Sequence, residues 1–294
     1  MSRRTALAMA LICFCGIAGA AFHFFSYGYG QCHPKRTPAT ALETERAQSS
    51  LPGLTIVTVR ARDGAVLRGW FAPPQNGVVV ALVHGLWGNR ASLLPEAELF
   101  ARHGYGVLLL DSRAHGESGG ESATWGSSEA LDIADSVRFV RAQPRVARVV
   151  LLGFSVGASA VARAAANDPA VSAVILYATW TSLREEIAYK EPKGGWLGVQ
   201  LALEGFRYSG AQIDEIRPEL DLARISPRPL IMVCGGRDTD TPPPIMDRMY
   251  AMATGKKEFW RQPEVGHGGY FQANPVEYER RVVGFIDDAL GLPH

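Results

Sequence analysis

A serine framed by glycines, Gly153-Phe154-Ser155-Val156-Gly157, lies between an apolar run at 147–152 and a run of small residues at 156–167. The first run reads as a buried strand and the second as a helix. The serine therefore sits on a sharp strand-to-helix turn, its hydroxyl outward, with glycines where side chains would collide. A serine hydroxyl attacks an acyl carbon once a base takes its proton and an acid behind the base fixes the tautomer. On a turn of this kind the three follow in the order serine, acid, histidine. After Ser155 only His267 and His294 remain. His294 is the terminal residue and is set aside. His267, in Val265-Gly266-His267-Gly268-Gly269, is the expected base on a loop that glycines let turn inward.

Two aspartates, Asp238 and Asp240, follow an apolar strand at 230–233, where catalytic groups of open α/β sheets gather. Local reading leaves both open, since either is also placed to cap the helix that starts near Pro242. The developing oxyanion needs amide donors. Val156 supplies one because it opens the helix after the turn. The second is assigned to Leu86, in His84-Gly85-Leu86-Trp87-Gly88 after the strand at 78–83. His84 precedes the serine and is read as structural. A second copy of the serine pattern, Gly116-Glu117-Ser118-Gly119-Gly120, is followed by a polar stretch at 121–126 and no helix, so Ser118 is read as a loop residue.

The elements that must hold these residues alternate. A hairpin is expected over 54–60 and 65–71, turning at Asp63-Gly64. Strands follow at 78–83, 105–110, 147–152, 171–177, 230–233 and 258–261, with helices at 89–103, 127–141 (capped by Ser127 or Ser128), 156–167, 244–252 and 276–290. Wholly apolar strands separated by helices predict an α/β fold, a mostly parallel central sheet with helices on both faces. The stretch at about 180–228 is too long for a simple loop. It carries Trp180, Tyr189, Trp196, Phe206 and Tyr208, and is expected to form a small, partly helical lid above the serine, its aromatics packing its own core.

The chain has 294 residues, 47% hydrophobic and 20% charged, with a net charge of +1. That balance gives no field for nucleic acid, so no nucleic-acid partner is expected. Residues 5–25 carry no Asp, Glu, Lys or Arg and follow Arg3 and Arg4. As a helix they would cross a bilayer core. Phe24, Phe25, Tyr27 and Tyr29 resemble an interfacial belt and favour a retained anchor; Ala18-Gly19-Ala20 offers a cleavage site and the alternative of a secreted protein. The expected organisation is an anchor or signal segment at 1–30, a linker at 31–50 and a catalytic domain at 51–294 on the exported side. The four cysteines do not make a disulfide framework.

Taken together, the motifs resemble the α/β-hydrolase superfamily, most closely its Bem46 and prolyl-oligopeptidase-like (serine aminopeptidase S33-type) serine hydrolases. The resemblance rests on His84-Gly85 with Gly88-Asn89-Arg90, on the stretch from Asp111 to Ser118, on Gly126 with Glu129 and Asp132, and on the serine turn. Gly235-x-x-Asp238-x-x-Thr241-Pro242 and Gly266-His267 complete it. It implies the α/β-hydrolase fold, favours Asp238 as the acid and makes the Asp111 to Ser118 stretch a structural loop. Ala114, Val156 and Ala158 depart from the usual residues without removing a catalytic group. The expected activity is cleavage of an ester or related acyl bond of a small-molecule substrate, with no cofactor and no metal. The alternatives are a peptidase or amidase, and a non-catalytic binding protein on a hydrolase scaffold.

Overall fold

The computed structural model describes residues 3–292, so His294 lies outside the described residues. Strands β1 (Thr55–Arg60), β2 (Val66–Ala72), β3 (Val78–Val83), β4 (Gly106–Leu110), β5 (Arg148–Phe154), β6 (Val171–Tyr177), β7 (Leu230–Gly235) and β8 (Lys257–Gln262) form one sheet in the order β1-β2-β4-β3-β5-β6-β7-β8. The β1–β2 and β2–β4 pairs are antiparallel and the rest are parallel. Strands β3 to β7 are apolar because both of their faces are covered.

Among the described residues, ten further α-helices follow two at the N-terminus, α1 (Arg3–Cys32) and α2 (Ala41–Ser50). They are α3 (Leu94–Arg102), α4 (Ser128–Arg141), α5 (Val156–Asn167), α6 (Leu183–Lys190), α7 (Gly195–Tyr208), α8 (Pro218–Ile225), α9 (Pro243–Met252), α10 (Tyr270–Ala273), α11 (Pro275–Tyr278) and α12 (Gly284–Leu290). Helices α4, α5, α8 and α9 bury apolar residues against one sheet face, and α2, α3 and α10 to α12 against the other. Between β6 and β7 the chain carries α6, α7 and α8. Trp180, Leu203 and Phe206 form a separate apolar cluster there with Trp125 and Cys32. The expectation that the aromatics pack a lid core describes Trp180 and Phe206, but Trp196 and Tyr208 are left exposed.

Three local expectations are corrected. The helix expected from 89 starts at Leu94, because the Asn89 side chain accepts the Ala91 N–H in a local turn and Pro95 suits a first helical turn. Ser127 stands at the start of α4 without capping it through its side chain; the Glu129 carboxylate instead takes the N–H groups of Thr124 and Gly126. The segment at 31–50, expected to be a linker, contains α2. Thr40 and Glu43 close a capping box on that helix, and Ala47 and Leu51 are buried in the main core.

Helix α1 is long and apolar enough to cross a membrane. Every described side chain from Arg4 to Ala20 is exposed, whereas from Ala21 to Cys32 all but Phe22, His23 and Tyr29 are at least partly covered by the domain.

Candidate active site

Ser155 joins β5 directly to α5, at φ 55° and ψ −119°. A non-glycine residue held there stores about 1–3 kcal/mol of strain that its surroundings must impose. Its N–H is fixed by the Tyr177 carbonyl at 2.9 Å, and its own carbonyl accepts from Ala158 at 2.9 Å. The flanking glycines are required by contact. A Cβ on Gly153 would lie 2.5 Å from the Gly157 carbonyl oxygen, and one on Gly157 would lie 2.5 Å from that of Val83.

His267 enters from the loop after β8, where Gly268 and Gly269 take φ of 99° and 75°. Its ring lies 4.9 Å from that of Phe154, centroid to centroid. Nε2 is 3.0 Å from Ser155 Oγ and Nδ1 is 2.9 Å from Asp238 Oδ2. Asp238 is buried after β7 and also accepts the N–H groups of Asp240 and Thr241 and the Thr241 hydroxyl at 2.8–2.9 Å. Burial works to raise its pKa, but the hydrogen bonds from His267 and Thr241 prevail and hold it below the ordinary aspartate value. Asp240 points elsewhere, pairing with Lys190 at 2.6 Å. The choice that local reading left open is thus separated by side-chain direction: Asp238 faces the imidazole.

Leu86 and Val156 line the same cavity as Ser155 and His267. Among the described residues, neither backbone N–H meets a protein acceptor. His84 is buried outside this constellation. Its Nδ1 donates to the Gly85 carbonyl at 2.7 Å and its Nε2 accepts the Ser112 N–H at 3.0 Å, while burial pushes its pKa down to about 3. Ser118 is fully buried, donating to the Asp111 carbonyl at 2.6 Å and accepting from Arg68 at 2.9 Å. Both were set aside from sequence, and both are engaged in holding loops.

The cavity, of about 270 Å³, has walls that sequence reasoning did not find: Tyr27 and Gln31 of α1, Trp87, Trp125, and Glu186 and Lys190 of α6. Glu186 is buried and one of its carboxylate oxygens has no partner; burial, against the opposing pull of Lys190, raises its pKa to about 7. The Lys190 ammonium is held above its ordinary value by Asp240 and Glu186, despite partial burial. No spacing signal marked these residues, since α1, the segments after β3 and before α4, and α6 meet at the serine only in the folded chain. Asp238, Asp240 and His267 are grouped closely enough to ligate a metal, their atoms within 4.8 Å of one another. The donors converging on Asp238 and the ammonium on Asp240 already fill that group as a hydrogen-bond network, so its chemistry fits proton transfer better than cation binding.

A family model described as serine aminopeptidase, S33, matches residues 74–205. The uncharacterized protein YfhR of Salmonella typhi is 28% identical over 253 residues, 80% of this chain and 82% of its own length. Protein bem46 of Schizosaccharomyces pombe is 27% identical over 231 residues, 74% and 73% of the two chains. Among solved structures, the esterase Pf2001 of Pyrococcus furiosus superposes with a TM-score of 0.73 at 24% identity, covering 87% of this chain and 98% of its own.

Proposed function

From the chain's membership of the α/β-hydrolase superfamily, in its Bem46-like group, we propose that it is a serine hydrolase cleaving an ester or related acyl bond. The observation that carries this reading is the position of His267, within hydrogen-bond reach of both Ser155 and Asp238. With Nδ1–H donating to Asp238, the Nε2 lone pair faces the serine hydroxyl. His267 takes the hydroxyl proton as Oγ attacks the acyl carbon, and the negative oxygen rests on the Leu86 and Val156 amides. The imidazolium then gives its proton to the leaving alcohol as the carbon–oxygen bond breaks. Water, deprotonated by the same nitrogen, releases the acid and restores Ser155.

A fluorophosphonate probe is expected to label Ser155 in the folded protein, and Ser155→Ala to abolish both labelling and hydrolysis of p-nitrophenyl butyrate. Hydrolysis that survives the substitution overturns the reading. A second reading is a peptidase or amidase, supported by the likeness of residues 74–205 to a family model described as serine aminopeptidase, S33. Comparing short acyl esters with aminoacyl amides separates the two. The apolar α1 supports attachment to a membrane with the catalytic domain on the exported side, or secretion after cleavage at Ala18-Gly19-Ala20.

A further inference from the structure

Helix α1 and the lid are one packed unit. Phe24 lies against Gly194 and Gly198, Gly28 against Ala202, and Phe25 and Tyr29 against Gly205. The Tyr208 ring continues the series, 5.8 Å from Phe25 and 6.0 Å from Tyr29. Both sets of numbers rise together, so α1 and α7 run in the same direction and the first turn of α7 lies toward the exposed half of α1. The backbones are close. A Cβ on Gly28 would sit 1.9 Å from the Ala202 carbonyl oxygen, and one on Gly205 would sit 2.3 Å from that of Phe25. Small residues at such a crossing let two helices lock without intervening side chains. The same end of α1 reaches the cavity through Tyr27 and Gln31, and the Cys32 and Gln31 carbonyls accept from the Ala123 N–H at 2.7 Å and the Trp125 indole at 3.1 Å.

The exposed half, residues 4–20, is about 25 Å long as a helix, slightly short of a hydrocarbon core about 30 Å thick. A bilayer that takes this half must therefore extend to the level where the lid begins, and no spacer intervenes. At that level Phe22 and, on the first turn of α7, Trp196 and Leu197 are 73%, 78% and 60% exposed. Lys193 is exposed beside them. Apolar and aromatic side chains next to a lysine suit the boundary between acyl chains and anionic headgroups.

We propose that Phe22, Trp196 and Leu197 rest in the surface of a lipid bilayer, so that the cavity behind the lid takes its acyl ester from a membrane lipid rather than from free solution. The substrate part of this proposal rests on the reading of Ser155 as nucleophile; the seating on the bilayer does not.

Full-length protein carrying Ser155→Ala, reconstituted into phosphatidylcholine–phosphatidylglycerol vesicles with brominated acyl chains, tests the seating without any hydrolysis. Tryptophan fluorescence is expected to be quenched, and Trp196→Phe to remove most of the quenching. Equal quenching with and without Trp196 overturns the seating. In the otherwise wild-type chain, Trp196→Ser with Leu197→Ser should lower hydrolysis of a long-chain fluorogenic ester embedded in the vesicles by about tenfold and that of soluble p-nitrophenyl butyrate by less than about twofold. Equal changes on the two substrates overturn delivery from the membrane. Loss of the Ser155 reading is seen separately, as hydrolysis that persists in Ser155→Ala.

Discussion

Four hydrogen bonds converge on the Asp238 carboxylate, from Asp240, twice from Thr241, and from His267. An aspartate ordinarily titrates at 3.8, and folding lowers this one. The folded chain therefore gives up the proton more readily than the unfolded chain. The resulting stabilisation is present above 3.8 and is lost as the pH falls through the folded value. Asp238→Asn should flatten the dependence of stability on pH in that acid window, measured by urea denaturation. In the proposed mechanism it should also lower kcat by about 10³–10⁴-fold, because there the imidazole loses the partner that fixes its tautomer. Glu186 works in the opposite sense. Its pKa rises from 4.5 to about 7, so the stability it confers is full below 4.5 and is lost as the pH rises through about 7. Beside it stand Lys190, Asp240 and His267. Glu186→Gln is expected to remove that loss, leaving the variant less sensitive to pH between 4.5 and 7 than the parent in the same denaturation series. At this scale the strand-to-helix turn at Ser155 was legible, because close backbone contacts impose the two glycines around it. Asp238 and Asp240 were not separable locally: both follow β7 within a few residues, and only tertiary packing turns one toward His267 and the other toward Lys190.

Element by element, local chemistry marked some boundaries and tertiary packing decided the rest. The apolar runs announced β3, β5 and β7 because their burial on both faces admits little else. Helix α2 carried a readable start, Thr40-Ala41-Leu42-Glu43, yet its apolar contact with the core comes through Ala47 and Leu51, with Arg46 and Ser50 bonding Glu98 of α3, too few apolar residues to produce a period. The partnership of α1 with α7 was hidden for a different reason. Gly28 and Gly205 are 177 residues apart, and glycine in either helix reads as a weak helix former until its partner is known. Gly28→Leu tests that partnership. The side chain has no room against the Ala202 carbonyl, so the helices must separate, at a cost of about 1–3 kcal/mol. Limited proteolysis should then cut within 180–228 at enzyme concentrations that leave the parent intact, whereas Gly30→Leu, where an added Cβ meets nothing within 4 Å, should behave as the parent.

For the molecule as a whole, the alternation of strands and helices gave the layers but not the strand order. Nothing in the local pattern places β4 between β2 and β3, since that depends on which long-range pairs close the sheet. Nor did it reveal that the catalytic domain begins before residue 51. The tail was read as an anchor and a linker, but residues 21–32 pack on the lid and residues 41–50 form a helix on the core. The Ala18-Gly19-Ala20 site lies just ahead of the packed half, so a chain cut there keeps the cavity wall and loses only the exposed half. Two truncations separate these roles. A chain starting at Ala21 keeps Tyr27, Gly28, Gln31 and Cys32, and should hydrolyse p-nitrophenyl butyrate within about threefold of the full-length protein. A chain starting at Lys35 loses the segment that seals Ala202 and accepts the Trp125 indole, opening the lid cluster to water. Its activity should fall by at least about tenfold, and its Tm should drop below that of the Ala21 chain. Equal activity and equal Tm in the two would mean that α1 is only a tether and that the lid closes the cavity without it.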